Sequence, residues 1–137
     1  MKKMQDVYKV FGKSACLAIC YLYINYYEQA TEAERNLPGF LETIVNSVLF
    51  QAYINRVGLD EECFVTNAAK LIPTWKVEKR KVDAIPKDEW SVVKFEYNGN
   101  GHWVAFHKGI LLYNSLGDSV CYKYGKPVDA RILTKVI

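Results

Sequence analysis

Gly101-His102-Trp103-Val104-Ala105-Phe106-His107-Lys108-Gly109-Ile110-Leu111-Leu112-Tyr113-Asn114 is the stretch on which the reading of the fold turns. Trp103 to Phe106 and Ile110 to Asn114 read as strands, joined by a turn at His107-Lys108-Gly109. A three-residue loop, with Gly109 in the left-handed position of a bulge, sets Phe106 opposite Ile110, Val104 opposite Leu112 and His102 opposite Asn114. Those six side chains then share one face of the sheet. Four of them are apolar, so this face is expected to pack on a helix. A two-residue Lys108-Gly109 loop would instead put Ser115 opposite His102. Lys-Gly is a poor match for the tight mirror-image turns, which favours the first register.

Upstream of the hairpin, Val92, Val93, Phe95 and Tyr97 predict another strand, followed by a turn at Asn98-Gly99-Asn100-Gly101. Downstream, Ser115 to Ser119 reads as a turn, then Val120 to Tyr124 and Ala130 to Val136 as strands. The N-terminal half is different. Gly12-Lys13-Ser14 is a turn with a cap candidate at Ser14, and a helix is expected from there to about Gln29. It is apolar nearly all round, through Leu17, Ala18, Ile19, Leu22, Ile24 and four tyrosines, as in a helix buried at the centre of a fold. Pro38 and Gly39 open a second helix that Gly58 ends. Asp60 to Leu71 reads as a third, stopped by Pro73. Helices first and an antiparallel sheet after them give an α+β class. At 137 residues the chain is expected to be one domain, 1–137.

Half the residues are apolar, enough for a substantial core. The formal charge of +3 is too small to argue for a nucleic-acid partner. The one dense basic run, Lys76, Lys79, Arg80 and Lys81, reads as a solvated strand or loop face. The four cysteines, Cys16, Cys20, Cys63 and Cys121, form no C-x-x-C pair. A chain with this much core has no need of disulfides, so reduced thiols and a cytoplasmic setting are expected. Met1-Lys2-Lys3 followed by Ala15 to Cys20 faintly imitates a signal peptide. The apolar stretch to Ile24 is too short to span a membrane, and no small-residue cleavage site follows it. Leu17-Ala18-Ile19-Cys20 imitates a lipoprotein box spoiled by the bulky Ile19. Neither a membrane nor a nucleic-acid partner is expected, and the oligomeric state is not written in the sequence.

Three residues carry the chemistry. Cys16 falls in the first turn of the buried helix, where unpaired backbone N–H groups and the positive end of the dipole favour thiolate, the nucleophilic form. The same N–H groups can hold a developing oxyanion. His102 opens one strand of the hairpin, and Asn114 ends the other. Each has a plainer reading beside it. Cys16 is also acceptable as a core thiol, and Asn114 as a residue that starts the turn before Leu116-Gly117-Asp118. Cys20, Cys63 and Cys121 read as structural. A zinc site from Cys16, Cys20, His102 and His107 has the wrong spacing between its pairs. Moreover, histidines five apart on a strand face opposite ways. No metal and no cofactor is expected.

Ser14-Ala15-Cys16, then Gly101-His102-Trp103-Val104, then Leu112-Tyr113-Asn114-Ser115, in that order, resembles the papain-like cysteine peptidases. It is most similar to small bacterial or phage domains of the bacteriocin-leader-processing type. The resemblance implies a papain-like fold, with N-terminal helices packed on a C-terminal antiparallel sheet and the nucleophile at the start of the central helix. It implies a Cys16–His102–Asn114 triad that hydrolyses a peptide amide bond in a peptide or protein substrate. Asp118 is the reserve third member. Relatives carry a Gln shortly before the cysteine as an oxyanion donor. Val10-Phe11-Gly12 stands in that region here, leaving the Cys16 N–H, Ser14, Lys13 and Gln5 as oxyanion candidates. Relatives also often follow the cysteine with Gly, where this chain has Leu17. The same scaffold implies two alternatives: side-chain deamidation or transglutaminase-like acyl transfer, and a peptide-binding module without turnover.

Overall fold

The computed structural model describes residues 15–55, 57 and 67–136. Its α-carbon packing divides the chain into two compact units, Met1–Ile72 and Pro73–Ile137.

The first unit is helical. Helix α1, Ala15–Gln29, buries Ala15, Cys16, Ala18, Ile19, Cys20, Tyr21, Leu22, Ile24 and Asn25. These residues run round most of the cylinder, as an all-apolar helix requires. A short helix α2, Glu32–Arg35, follows at once. It is set by a capping box: Thr31 Oγ1 accepts from the Glu34 N–H at 3.1 Å, and Glu34 Oε1 accepts from the Thr31 N–H at 2.9 Å. Arg35 reaches back to donate to the Tyr27 carbonyl at 2.7 Å, one of the orphan carbonyls at the end of α1. Its guanidinium lies 4.0 Å from the Tyr27 ring centre. Gly39, at φ 74°, makes the turn into α3, Phe40–Asn55. Leu41, Val45, Leu49 and Ala52 form the buried stripe of α3, and α3 lies against α1. A 3-10 turn at Ala68–Leu71 also lies against α1. The expected third helix is thus a single turn over its described part. Gly58 and residues 60–66 lie outside the described residues.

The second unit is a five-stranded sheet of order β1-β5-β2-β3-β4. Its strands are β1, Trp75–Lys81, β2, Trp90–Tyr97, β3, Asn100–His107, β4, Ile110–Tyr113, and β5, Lys126–Lys135. Every pairing is antiparallel. The architecture is therefore α+β, helices followed by an antiparallel sheet. The basic run lies on the edge strand β1. There Arg80 pairs with Asp88 at 2.9 Å and Glu78 at 3.0 Å, and Lys81 with Asp129 at 2.9 Å. Charges on an edge discourage pairing with another chain.

Register sorts the side chains of the sheet onto two faces. Ser91, Val93 and Phe95 stand opposite Phe106, Val104 and His102. With Ala130 and Ile132 of β5 they define one face. Trp90, Val92 and Lys94 stand opposite His107, Ala105 and Trp103 on the other. The expected strand at Val120–Tyr124 is instead a helix, α4. Its buried residue is Cys121. Cys121 joins Val93, Phe95, Val104, Phe106, Ala130 and Ile132 in the core of the first face. Tyr122 sets its ring edge-on to Phe95 at 5.0 Å. Gly125 ends α4, donating to the Cys121 carbonyl at 3.0 Å. A β-carbon there would collide with the Cys121 and Glu96 carbonyls, so only glycine fits.

Candidate active site

The hairpin that carries His102 and Asn114 differs from the expected one in two ways. Its loop has two residues, with Lys108 at φ 54° and Gly109 at φ 80°, and His107 rather than Phe106 faces Ile110. Both central residues are left-handed, as a mirror-image type I turn demands, even though Lys rarely accepts that geometry. On its own this loop would set Asn114 opposite Trp103, on the face of His107. The ladder then shifts between Ala105 and Phe106: Phe106 pairs with Leu111, but Ala105 pairs with Tyr113. Leu112 is the extra residue of a β-bulge. Continued by one residue, the shifted register puts Asn114 beside Val104, on the face of His102 and one side chain along from it. The expected face is reached by a different route, a shorter loop followed by a bulge.

The contact itself is tight. His102 Nε2 lies 2.7 Å from Asn114 Oδ1. The same oxygen accepts from the Leu116 N–H at 3.2 Å, an Asx turn. This second bond fixes the chemistry of the first. A backbone N–H can only donate, so the atom it meets must be the amide oxygen. That oxygen must then receive a hydrogen from His102 Nε2. A neutral His102 therefore carries its proton on Nε2 and its lone pair on Nδ1. The two readings of Asn114, turn starter and histidine partner, are both met by one oxygen. Leu116 is the contributor that sequence reasoning passed over. Its signal was the Asn-x-x turn chemistry already noted at Asn114.

His102 is 4% exposed, with Phe95 directly across the ladder. Burial holds its pKa below the ordinary histidine value of 6.5, against a smaller upward pull from the Asn114 bond. The imidazole is thus neutral at neutral pH, with a basic nitrogen to offer. Asp118, the reserve partner, is exposed, and Asn114 makes the bond it would have made. His107 lies on the opposite face of the sheet, stacked on Trp90 with ring centres 4.1 Å apart. The odd offset separates the two histidines as expected. Among the described residues no group of three His, Cys, Asp or Glu side chains is placed to hold a metal ion.

In the helical unit, Cys16 is the second residue of α1 and 5% exposed. Cys20, one turn on, is fully buried, and burial first and the Cys16 charge second push its thiol pKa well up. Cys16, Cys20 and Cys121 are all thiols rather than disulfides. Ser14, Lys13 and Gln5, the other oxyanion candidates, lie outside the described residues, as does Cys63. No described helix is long and apolar enough to cross a membrane. Compared with known proteins, the chain matches no protein family, no curated protein and no solved structure.

Proposed function

We propose that the protein is a papain-like cysteine peptidase that uses Cys16, His102 and Asn114 to hydrolyse a peptide amide bond. The observation that carries the reading is the His102 Nε2–Asn114 Oδ1 bond of 2.7 Å, with the amide orientation pinned by Leu116. A buried histidine held through Nε2 by an acceptor, with Nδ1 left basic, is what a cysteine nucleophile needs from its base.

In this mechanism Nδ1 of His102 takes the proton of the Cys16 thiol. The thiolate attacks the amide carbonyl, and the C–S bond forms as the carbonyl becomes an oxyanion facing the Cys16 N–H. The imidazolium returns the proton to the leaving amine as the C–N bond breaks. Water, activated by the same Nδ1, then attacks the thioester, releasing the acid and restoring the thiol. Asn114 keeps the ring in one tautomer and one orientation throughout.

The test uses the four cysteines as their own control. A limiting dose of iodoacetamide near pH 6 should label Cys16 first, since an unperturbed thiol of pKa roughly 8.5 is almost wholly protonated there. The His102→Ala variant should label more slowly. Equal labelling of Cys16 and Cys121 in the folded protein sinks the reading. Mass spectrometry of peptides incubated with the protein then separates backbone cleavage from side-chain deamidation and from binding without turnover.

A further inference from the structure

The pleat of strand β1 splits its basic run between the two faces of the sheet. Arg80 falls on the face of His102, where Asp88 and Glu78 neutralise it. Lys79 and Lys81 fall on the face of His107. Lys81 pairs with Asp129. Lys79 is placed differently: the residue directly across the ladder from it is Arg131. Like charges in that position, with β-carbons about 4.5–5.5 Å apart, repel and destabilise a sheet. Among the described residues, neither has a carboxylate within ion-pair distance.

Lys94 and Trp103 extend the cluster on the same face. They stand opposite each other on β2 and β3, and Arg131 stands opposite Val92, two residues before Lys94. The Arg131 guanidinium lies 4.8 Å from the Trp103 ring centre and donates at 3.3 Å to the Ala130 carbonyl. Those contacts hold the group in place without cancelling its charge. Lys94 has Asp129 on one side, but its chain lies on the other, over Gly101. It too has no carboxylate within ion-pair distance among the described residues. Lys79 and Lys81 are exposed, and Lys94, Trp103 and Arg131 are half-buried.

We propose that this face binds an acidic peptide segment, with one carboxylate between Lys79 and Arg131 and another at Lys94. A bound carboxylate turns the repulsion between Lys79 and Arg131 into a shared attraction. Arg131 and Lys94 lie in successive rows of the face, a step of about 6.8 Å along the strands. Alternate side chains of an extended peptide recur at the same step. A polynucleotide presents an unbroken run of phosphates, which Asp129 and Glu96 on this face would repel. None of these residues belongs to the proposed triad, so the inference stands whether or not the bound peptide is cut.

The test follows fluorescence anisotropy of a labelled peptide of alternating Glu and Ala at low ionic strength, beside an oligothymidylate of equal charge. The peptide should bind the full chain more tightly than the oligothymidylate does, and should be released as salt is raised. Lys79→Gln, Lys94→Gln and Arg131→Gln should each weaken binding by about fivefold. Lys79→Gln should do so without lowering the urea midpoint, because it relieves the repulsion from Arg131. Lys76→Gln, on the other face of β1, should leave binding nearly unchanged. The proposal is overturned if the natural chain does not bind the peptide, or if it prefers the oligothymidylate. An equal loss with Lys76→Gln overturns it too, since net charge alone would then account for binding. So does a lowered midpoint with unchanged binding in Lys79→Gln, which would make the cluster structural.

Discussion

The two faces of strand β3 put the same residue type into two different states. His102, on one face, is 4% exposed, bonded through Nε2 to a side-chain amide, and set across the ladder from Phe95. His107, five residues on, lies on the other face in a ladder of rings. It stacks on Trp90, which meets Trp75 edge-on at 6.2 Å. His107 Nε2 is also 4.0 Å from a Glu89 oxygen. One imidazole is held by a directional hydrogen bond that selects a tautomer, and the other lies flat on an indole. Sequence neighbourhood therefore says little about a histidine. Strand parity and the partner across the ladder say most of it.

The largest expected effect breaks that comparison outright. His102→Ala should lower amide hydrolysis, or Cys16 alkylation near pH 6, by at least about 100-fold, the usual scale for a lost general base. His107→Ala should leave the rate within about twofold and be felt instead as a small loss of stability from the Trp90 stack, on the order of 1 kcal/mol. Both variants are read by the same rate assay and by denaturant midpoints. Equal rate losses would mean that the two faces are not functionally distinct.

A smaller effect sharpens the role of the bulge. Asn114→Ala removes one hydrogen bond to His102, roughly 1 kcal/mol, or a rate loss of about fivefold to tenfold. Deleting Leu112 removes the surplus residue but keeps Tyr113 opposite Ala105, so Asn114 stays beside Val104 on the face of His102. The deletion should therefore cost less than the loss of Asn114. Combining the two is the discriminating measurement: Asn114→Ala should keep its full effect once Leu112 is gone. Loss of that effect would show that the bulge itself, and not the register alone, holds Asn114 against His102.

The bulge also marks where the sequence stopped being legible. Helix α1 was readable to its last residue, because an apolar stretch with no breaker from Ala15 to Ile24 admits one interpretation. The strand pairings of Val92 to Asn114 were readable in kind for the same reason. The register was not. Lys108-Gly109 is weak turn chemistry, and two adjacent leucines give no local sign that one of them is surplus. The three-residue loop and the two-residue loop with a bulge both bring Asn114 to His102, so that contact was anticipated although the ladder was misread. Val120–Tyr124 failed for a different reason. Five residues are too few for helical periodicity to show, and what makes the segment a helix is Cys121 filling the core and Gly125 clearing the Glu96 carbonyl. Those are tertiary facts with no local signature.

Burial also changes the acidity of His102, and with only two histidines in the chain its signal is readily assigned. In an NMR titration the His102 ring should change charge below the ordinary value of 6.5, because burial disfavours the imidazolium more than the Asn114 bond favours it. Before titration, the neutral ring should show the Nε2–H tautomer, with His107→Gln assigning the signals. Asn114→Ala should push the His102 titration lower still, since an acceptor on Nε2 stabilises the charged ring more than the neutral one. The same depression has a stability consequence whose sign is fixed. Between the folded and unfolded pKa values the unfolded chain binds more protons, so stability rises with pH across that window. This contribution is fully present above about pH 6.5 and is lost as pH falls through the lower, folded value. Urea midpoints of the natural chain should therefore fall on acidification below about pH 6.5, and those of His102→Gln should fall less over the same range. A His102 that titrates above 6.5, or a urea midpoint equally pH-dependent in both proteins, would remove the neutral buried imidazole from which the basic Nδ1 was derived.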